Sequence, residues 1–311
     1  MSERTVAPTP RHDGDAWQPR RVVVGVDGTA ANWPAVQWAA TEARRVGCPL
    51  VLVGAGTEDT PAAAPRTGDF TAAPEREHRE HLTEQMLEQV QARLGAAHPV
   101  ELAVGHGEPS QALVSAVDTE DLLVVGKRSG HPLARTVLGS TSIAVAGRCS
   151  SRAVVVPDGW SGTDHQGGPV VVGADGDRDA AVLAAAFARA QDLDVPLVVV
   201  SSWELPAPHT RSVDDVDRLR SRAHERLDTV LAPYRERFLA VEVRTQVHYL
   251  DPAVALSGAV VGSQLLVMGR HTGPHHPGGL RLGSTTRRVL RHATCPLLVV
   301  PPVPTAPAAA R

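Results

Sequence analysis

Residues 124–142 read VVGKRSGHPLARTVLGSTS: an apolar run ending at Gly126, a polar loop through Lys127, Arg128, Ser129 and Gly130, then Gly139-Ser140-Thr141-Ser142. The last four suit the opening of a helix. Gly126 and Gly130 let backbone come close to a ligand, and the N–H groups after Gly139 would sit at a helix N-terminus, where unsatisfied donors and the dipole favour an anion. The hydroxyls of Ser140, Thr141 and Ser142 add donors. A second copy runs over 267–286, VMGRHTGPHHPGGLRLGSTT, with Gly269, Arg270 and Gly273 in the loop and Gly283-Ser284-Thr285-Thr286 at the helix start. Two such turns in the same order weigh more than either alone.

Outward from the first copy, the half that contains it alternates strand and helix. RVVVGVDG at 21–28 is a continuous apolar strand of the kind buried on both faces of a parallel sheet, with Gly25 inside it and Asp27 at its end. Asn32 and Pro34 mark a helix start, and Gly47 its end. LVLV at 50–53 is the next strand. Residues 57–74, rich in Ala, Pro and Thr, read as a loop, and 75–94 as a helix. Strands at 100–104, 122–125 and 153–156 follow, with helices at 107–117 and after Gly139. Five strands alternating with helices predict an α/β architecture, an open parallel sheet with helices on both faces.

The pattern then restarts. VVVGADG at 170–176 repeats the opening strand, Gly173 standing 148 positions after Gly25 and Asp175 matching Asp27. Gly283 follows Gly139 by 144 positions, as Pro301 follows Pro157. The chain is therefore one domain duplicated. Its expected parts are a flexible tail over 1–20, a first domain over 21–157, a linker over 158–168, a second domain over 169–302 and a C-terminal tail over 303–311.

Composition narrows the function. A formal net charge of −3 and an aromatic content of 3% give neither the basic excess nor the stacking platforms of a nucleic-acid binder. No apolar run approaches the roughly 18 to 20 residues that cross a bilayer, and the N-terminus lacks a signal-peptide core, so a cytoplasmic protein with no membrane partner is expected. Cys48, Cys149 and Cys295 are far apart without CxxC spacing and read as small buried residues. His271, His275 and His276 share a loop but have no carboxylate or cysteine at ligand spacing, so no metal site is assigned.

In an open α/β sheet, ligands sit beyond the carboxyl ends of the strands where strand order reverses. A switch between strands one and four would join Asp27, for a ribose hydroxyl or base edge, to the Gly139 turn, for phosphates. Asp175 and Gly283 would repeat the arrangement. The same residues also suit a plain turn and a plain helix cap. Lys127 is no P-loop lysine, since Lys and Ser or Thr do not follow the last glycine together. No nucleophile and base stand at recognisable spacing, so a dedicated enzymatic activity finds no support.

Both halves resemble the universal stress protein family in its tandem form. Gly25-Val26-Asp27-Gly28-Thr29 is similar to that family's opening GVDGS, and 295–301, CPLLVVP, to its closing strand. Its ATP-binding members carry Gly, two residues, Gly, nine residues, Gly-Ser. Here Ser129 stands where the second glycine is expected, and the second loop, Gly269 to Gly273 to Gly283, is one residue longer. The resemblance implies two Rossmann-like domains of the adenine nucleotide alpha hydrolase kind, ATP, with or without Mg²⁺, across the Asp, the glycine turns and the strand-two positions Ala55 and Ser202, a stress-response sensor with slow hydrolysis at most, regulatory protein partners, and a homodimer. The alternative is a nucleotide-free scaffold acting through the last strand of each half.

Overall fold

The structure, a computed structural model, describes residues 17–27, 29–56, 81, 84–85, 87–92, 95, 98–127, 139–162, 165–174, 179–202, 213–270 and 282–302. The first half carries β1 (Val22–Val26), α1 (Trp33–Val46), β2 (Leu50–Gly56), β3 (Val100–His106), α2 (Pro109–Ser115), β4 (Leu122–Lys127), α3 (Ser140–Arg148) and β5 (Arg152–Pro157). The second repeats the order: β6 (Val170–Gly173), α4 (Ala180–Leu193), β7 (Leu197–Ser202), α5 (Val213–Arg237), β8 (Val243–His248), α6 (Pro252–Ala259), β9 (Leu265–Gly269), α7 (Ser284–His292) and β10 (Leu297–Val300). Residues 84–85 and 87–92 are helical, within the expected 75–94 helix.

All ten strands form one sheet, ordered β3-β2-β1-β4-β5-β10-β9-β6-β7-β8. Within each half every pairing is parallel. The halves meet where β5 and β10 pair antiparallel, Leu297 opposite Val155 and Leu298 opposite Val154. This corrects the alternative reading that the last strands offer open edges to a partner. Each satisfies the other, and the sheet's edges are β3 and β8.

The Val-rich strands sort side chains by the period-two rule. Val22, Val24 and Val26 pack into the layer of α1 and α4. Val23, Val51 and Val53 pack with Leu113 of α2 and Val145 of α3 on the other face. The three cysteines are buried and free, as expected.

The seam between the halves also takes up residues that composition assigned to tail and linker. Trp17 is buried, and its indole N–H donates to Glu42 Oε1 at 2.6 Å. Glu42 on α1 in turn accepts from both Arg189 Nη atoms of α4, at 2.9 and 3.0 Å, and the Arg189 guanidinium lies 4.4 Å from the centre of a Trp17 ring. In the connection, Trp160 packs against the core, and the Gly168 carbonyl accepts from Gln264 Nε2 at 2.8 Å. A Cβ at Gly168 would lie 2.1 Å from the Gly262 carbonyl oxygen, so this approach needs a glycine.

Candidate functional site

Because β1 pairs β4 in register, Val22 to Val24 opposite Leu122 to Val124, with β2 on its other side, the strand order reverses there and a crevice opens at the carboxyl ends. Asp27 and the Gly139 turn, 112 residues apart in sequence, meet in it. Gly25, Val26, Asp27, Asn32, Leu113, Gly126, Gly139, Ser140, Thr141 and Ser142 line a cavity of about 280 Å³, near the lower end for small-molecule sites.

Each lining residue has a physical reason for its place. Gly25 makes room for α2, since a Cβ there would stand 2.8 Å from Leu113 Cδ1. Asp27 is fixed by the chain that follows it: Oδ1 accepts from the Thr29 N–H at 3.0 Å and the Thr29 hydroxyl at 2.7 Å. Ser142 spends its hydroxyl on the Gly126 carbonyl at 2.8 Å, so it ties α3 to the end of β4. Gly139 is the N-cap of α3 and supplies no side-chain cap, and the first turn, Ser140 to Ser142, lines the crevice mouth.

Asn32, read from sequence as a helix cap, makes no capping hydrogen bond. Its amide instead lies over Gly126, with Nδ2 3.2 Å from where a Cβ on that glycine would sit. Asn32 Oδ1 is buried and has no hydrogen-bond partner among the described residues. An orphaned acceptor of this kind costs about 1 to 3 kcal/mol and calls for a donor. No motif marked it, because Asn two residues before a Pro suits a cap equally well.

The second half repeats the topology, β6 pairing β9 with Val170 opposite Leu265. Gly173 meets Leu256 as Gly25 meets Leu113, at 3.2 Å from a built Cβ. Gly269 ends β9, and Gly283 is the uncapped N-cap of α7, with Thr286 buried in the place of Ser142. At Gly283 φ is −58°, and a Cβ would meet nothing within 4 Å. Among the described residues, neither backbone conformation nor packing demands a glycine there. Ser284 and Thr285 open α7. Of the strand-two positions, Ala55 lies near the end of β2, while the Ser202 hydroxyl donates to the Leu250 carbonyl at 2.5 Å. Arg288 pairs with Asp251, which caps α6. Gly28, Arg128, Ser129, Gly130, Asp175, Gly273 and the three loop histidines lie outside the described residues.

Lys127 and Arg270, which the sequence places in the two ligand loops, are directed across the seam. Lys127 Nζ donates to the Arg291 carbonyl in the last turn of α7 at 2.6 Å. Burial pulls its pKa below the ordinary 10.5, opposed by Asp158. Arg270 Nη1 donates to the Gly147 and Cys149 carbonyls at the end of α3, at 3.0 and 2.7 Å. Among the described residues no group of three His, Cys, Asp or Glu could hold a metal ion.

Comparison with known proteins agrees with this architecture. The sequence model of the Universal stress protein family matches residues 19–157 and 168–301. A universal stress protein of Mycolicibacterium smegmatis is 30% identical over 296 residues, covering 90% of this chain and 97% of its own. Among solved structures, a functionally unknown protein from Pseudomonas aeruginosa superposes with a TM-score of 0.66 at 14% identity, covering 94% of this chain and 95% of its own. A universal stress protein from Archaeoglobus fulgidus does so with a TM-score of 0.65 at 15% identity, covering 92% and 99%. With the family model matched once in each half and the strand order repeated, this chain belongs to the universal stress protein family, in its tandem form.

Proposed function

We propose that this chain binds ATP in the crevice beyond β1 and β4, and in its copy beyond β6 and β9, and works as a regulator whose state reports nucleotide occupancy. The observation that carries the reading is the orphaned Asn32 Oδ1 beside an uncapped helix mouth: one buried acceptor and a set of backbone donors in one cavity. In this reading the base or ribose donates to Asn32 and Asp27. The first-turn N–H groups of α3, with the Ser140 and Thr141 hydroxyls, hold the phosphates. Gly126 admits the ligand by carrying no side chain, and Ser142 keeps the cradle on β4. Mg²⁺ would arrive on the phosphates, given the absence of a metal-ligating cluster among the described residues.

Linkage is the means such a regulator would use. A ligand that binds only the folded chain stabilises it by about 2.7 kcal/mol at a hundredfold excess over its Kd. Three buried free cysteines suit a reducing cytoplasm, and no helix among the described residues is long and apolar enough to cross a membrane. A homodimer would have to use a surface other than β5 and β10, which pair with each other. The test is native mass spectrometry of the purified chain, followed by an ATP titration. Co-purified or saturably bound adenine nucleotide supports the reading, and a chain that ignores millimolar ATP refutes it.

A further inference from the structure

We propose that the phosphate cradle of each half is positioned by a cation supplied from the other: Arg270 positions α3 for the first crevice, and Lys127 positions α7 for the second. This rests on the reading that the crevices take nucleotide phosphate. The antiparallel β5–β10 pairing leaves β4 and β9 one strand from the seam on either side. The residue that follows the last glycine of each strand, Lys127 after Gly126 and Arg270 after Gly269, therefore extends over the seam to the opposite half.

What each cation finds there is the carbonyl end of the helix whose other end is the cradle. Arg270 is itself fixed on β10, its N–H donating to the Val300 carbonyl at 2.9 Å, and its Nη1 bridges the Gly147 and Cys149 oxygens. Those carbonyls belong to the unsatisfied end of α3, where a cation is also favoured by the dipole. A helix of nine residues is only about 13 Å long and moves as one piece. α3 is thus pinned twice, by Ser142 on the Gly126 carbonyl at the cradle and by the other half's arginine at the far end. Lys127 on the Arg291 carbonyl is the mirror contact for α7. A lysine in one copy and an arginine in the other fit this role, since helix carbonyls need a cation and not a planar fork.

The test uses the full chain with Arg270→Met, Lys127→Met and Arg270→Lys. Hydrogen exchange followed by mass spectrometry reads the first turns of α3 and α7 separately during ATP titration, and adenosine, which lacks phosphates, is titrated in parallel. Arg270→Met should raise the ATP concentration that protects the first turn of α3 by about fivefold or more. It should leave the first turn of α7 and adenosine affinity as in the unmodified chain. Lys127→Met should do the reverse, and Arg270→Lys should stay near the unmodified chain. Were Arg270→Met not to fold, Lys127→Met still tests the mirror contact. Protection of α3 at the unmodified concentration in Arg270→Met overturns the proposal, as does equal loss at both helices and for adenosine, which a general loosening of the fold would give. An unmodified chain that ATP fails to protect removes the nucleotide reading, and this proposal with it.

Discussion

Arg189→Met breaks the ion pair that joins the two halves behind the sheet, and its cost can be worked from the contacts. Glu42 is 4% exposed and Arg189 3%, so neither charge is relieved by water once the other is gone. Breaking a buried pair from one side typically costs about 3 to 5 kcal/mol. Here Arg45, at 2.8 and 3.1 Å, and the Trp17 indole still hold the Glu42 carboxylate, which places the expected loss near 3 kcal/mol. Removing both charges, as Glu42→Leu with Arg189→Met, leaves neither of the two fully buried ions, and the partly exposed Arg45 keeps Asp192 at 3.0 Å. The remaining cost, about 1 to 2 kcal/mol, comes from the Trp17 N–H losing its acceptor and Arg45 losing its bonds to Glu42. Equilibrium urea unfolding of the single and double variants measures both numbers. A single variant within 1 kcal/mol of the unmodified chain, or a double variant as unstable as the sum of the singles, would refute the account of the seam.

Four further outcomes are expected. Burial alone would raise the Glu42 pKa, but the Arg189 charge and the hydrogen bonds from Arg45 and Trp17 hold it below the ordinary 4.5. Its contribution is then complete above that pH and is lost as pH falls through the lowered folded value, so Glu42→Gln should flatten the acid limb of the stability profile; an unchanged limb contradicts this. Asn32→Ala should weaken ATP by about 1 kcal/mol in calorimetry without lowering thermal stability, because it deletes an acceptor that has no partner among the described residues. Gly25→Ala should cost about 1 to 3 kcal/mol in a thermal melt through its clash with Leu113, and adding Leu113→Ala should remove the clash, so non-additive melts are expected. Ser142→Ala should cost about 1 kcal/mol by releasing the Gly126 carbonyl, and a neutral effect would argue against Ser142 as a tie.

The repeat made the architecture legible. Val-rich runs ending in Gly and Asp, each followed by a helix signal, dictate parallel strands buried on both faces, and their recurrence dictates two halves. What periodicity could not convey is how the halves join, since an apolar last strand reads the same whether it ends a sheet or pairs with its counterpart. The crevice was legible to the extent that Asp27 follows β1, Gly126 lies at the end of β4 and Gly139 precedes α3, all beside one switch point. Lys127 and Arg270 were placed with the ligand loops because neighbours in sequence are easily taken for neighbours in the site. Their heads lie across a seam that only the β5–β10 pairing defines. Trp17 and Glu42 gave no signal at all, since a lone tryptophan in a polar tail and a glutamate on a helix acquire meaning only when Arg189 arrives from the other half.

The central claim is that the β1–β4 crevice and its copy receive a nucleotide by acidic strand ends and uncapped helix mouths. Calorimetric titration of ATP into the full chain and into Asp27→Ala with Asp175→Ala tests it most directly. Saturable binding that weakens by about 1.5 to 3 kcal/mol, tenfold or more, in the double variant is the predicted result. Absence of binding at millimolar ATP, or an affinity that ignores both substitutions, would contradict it.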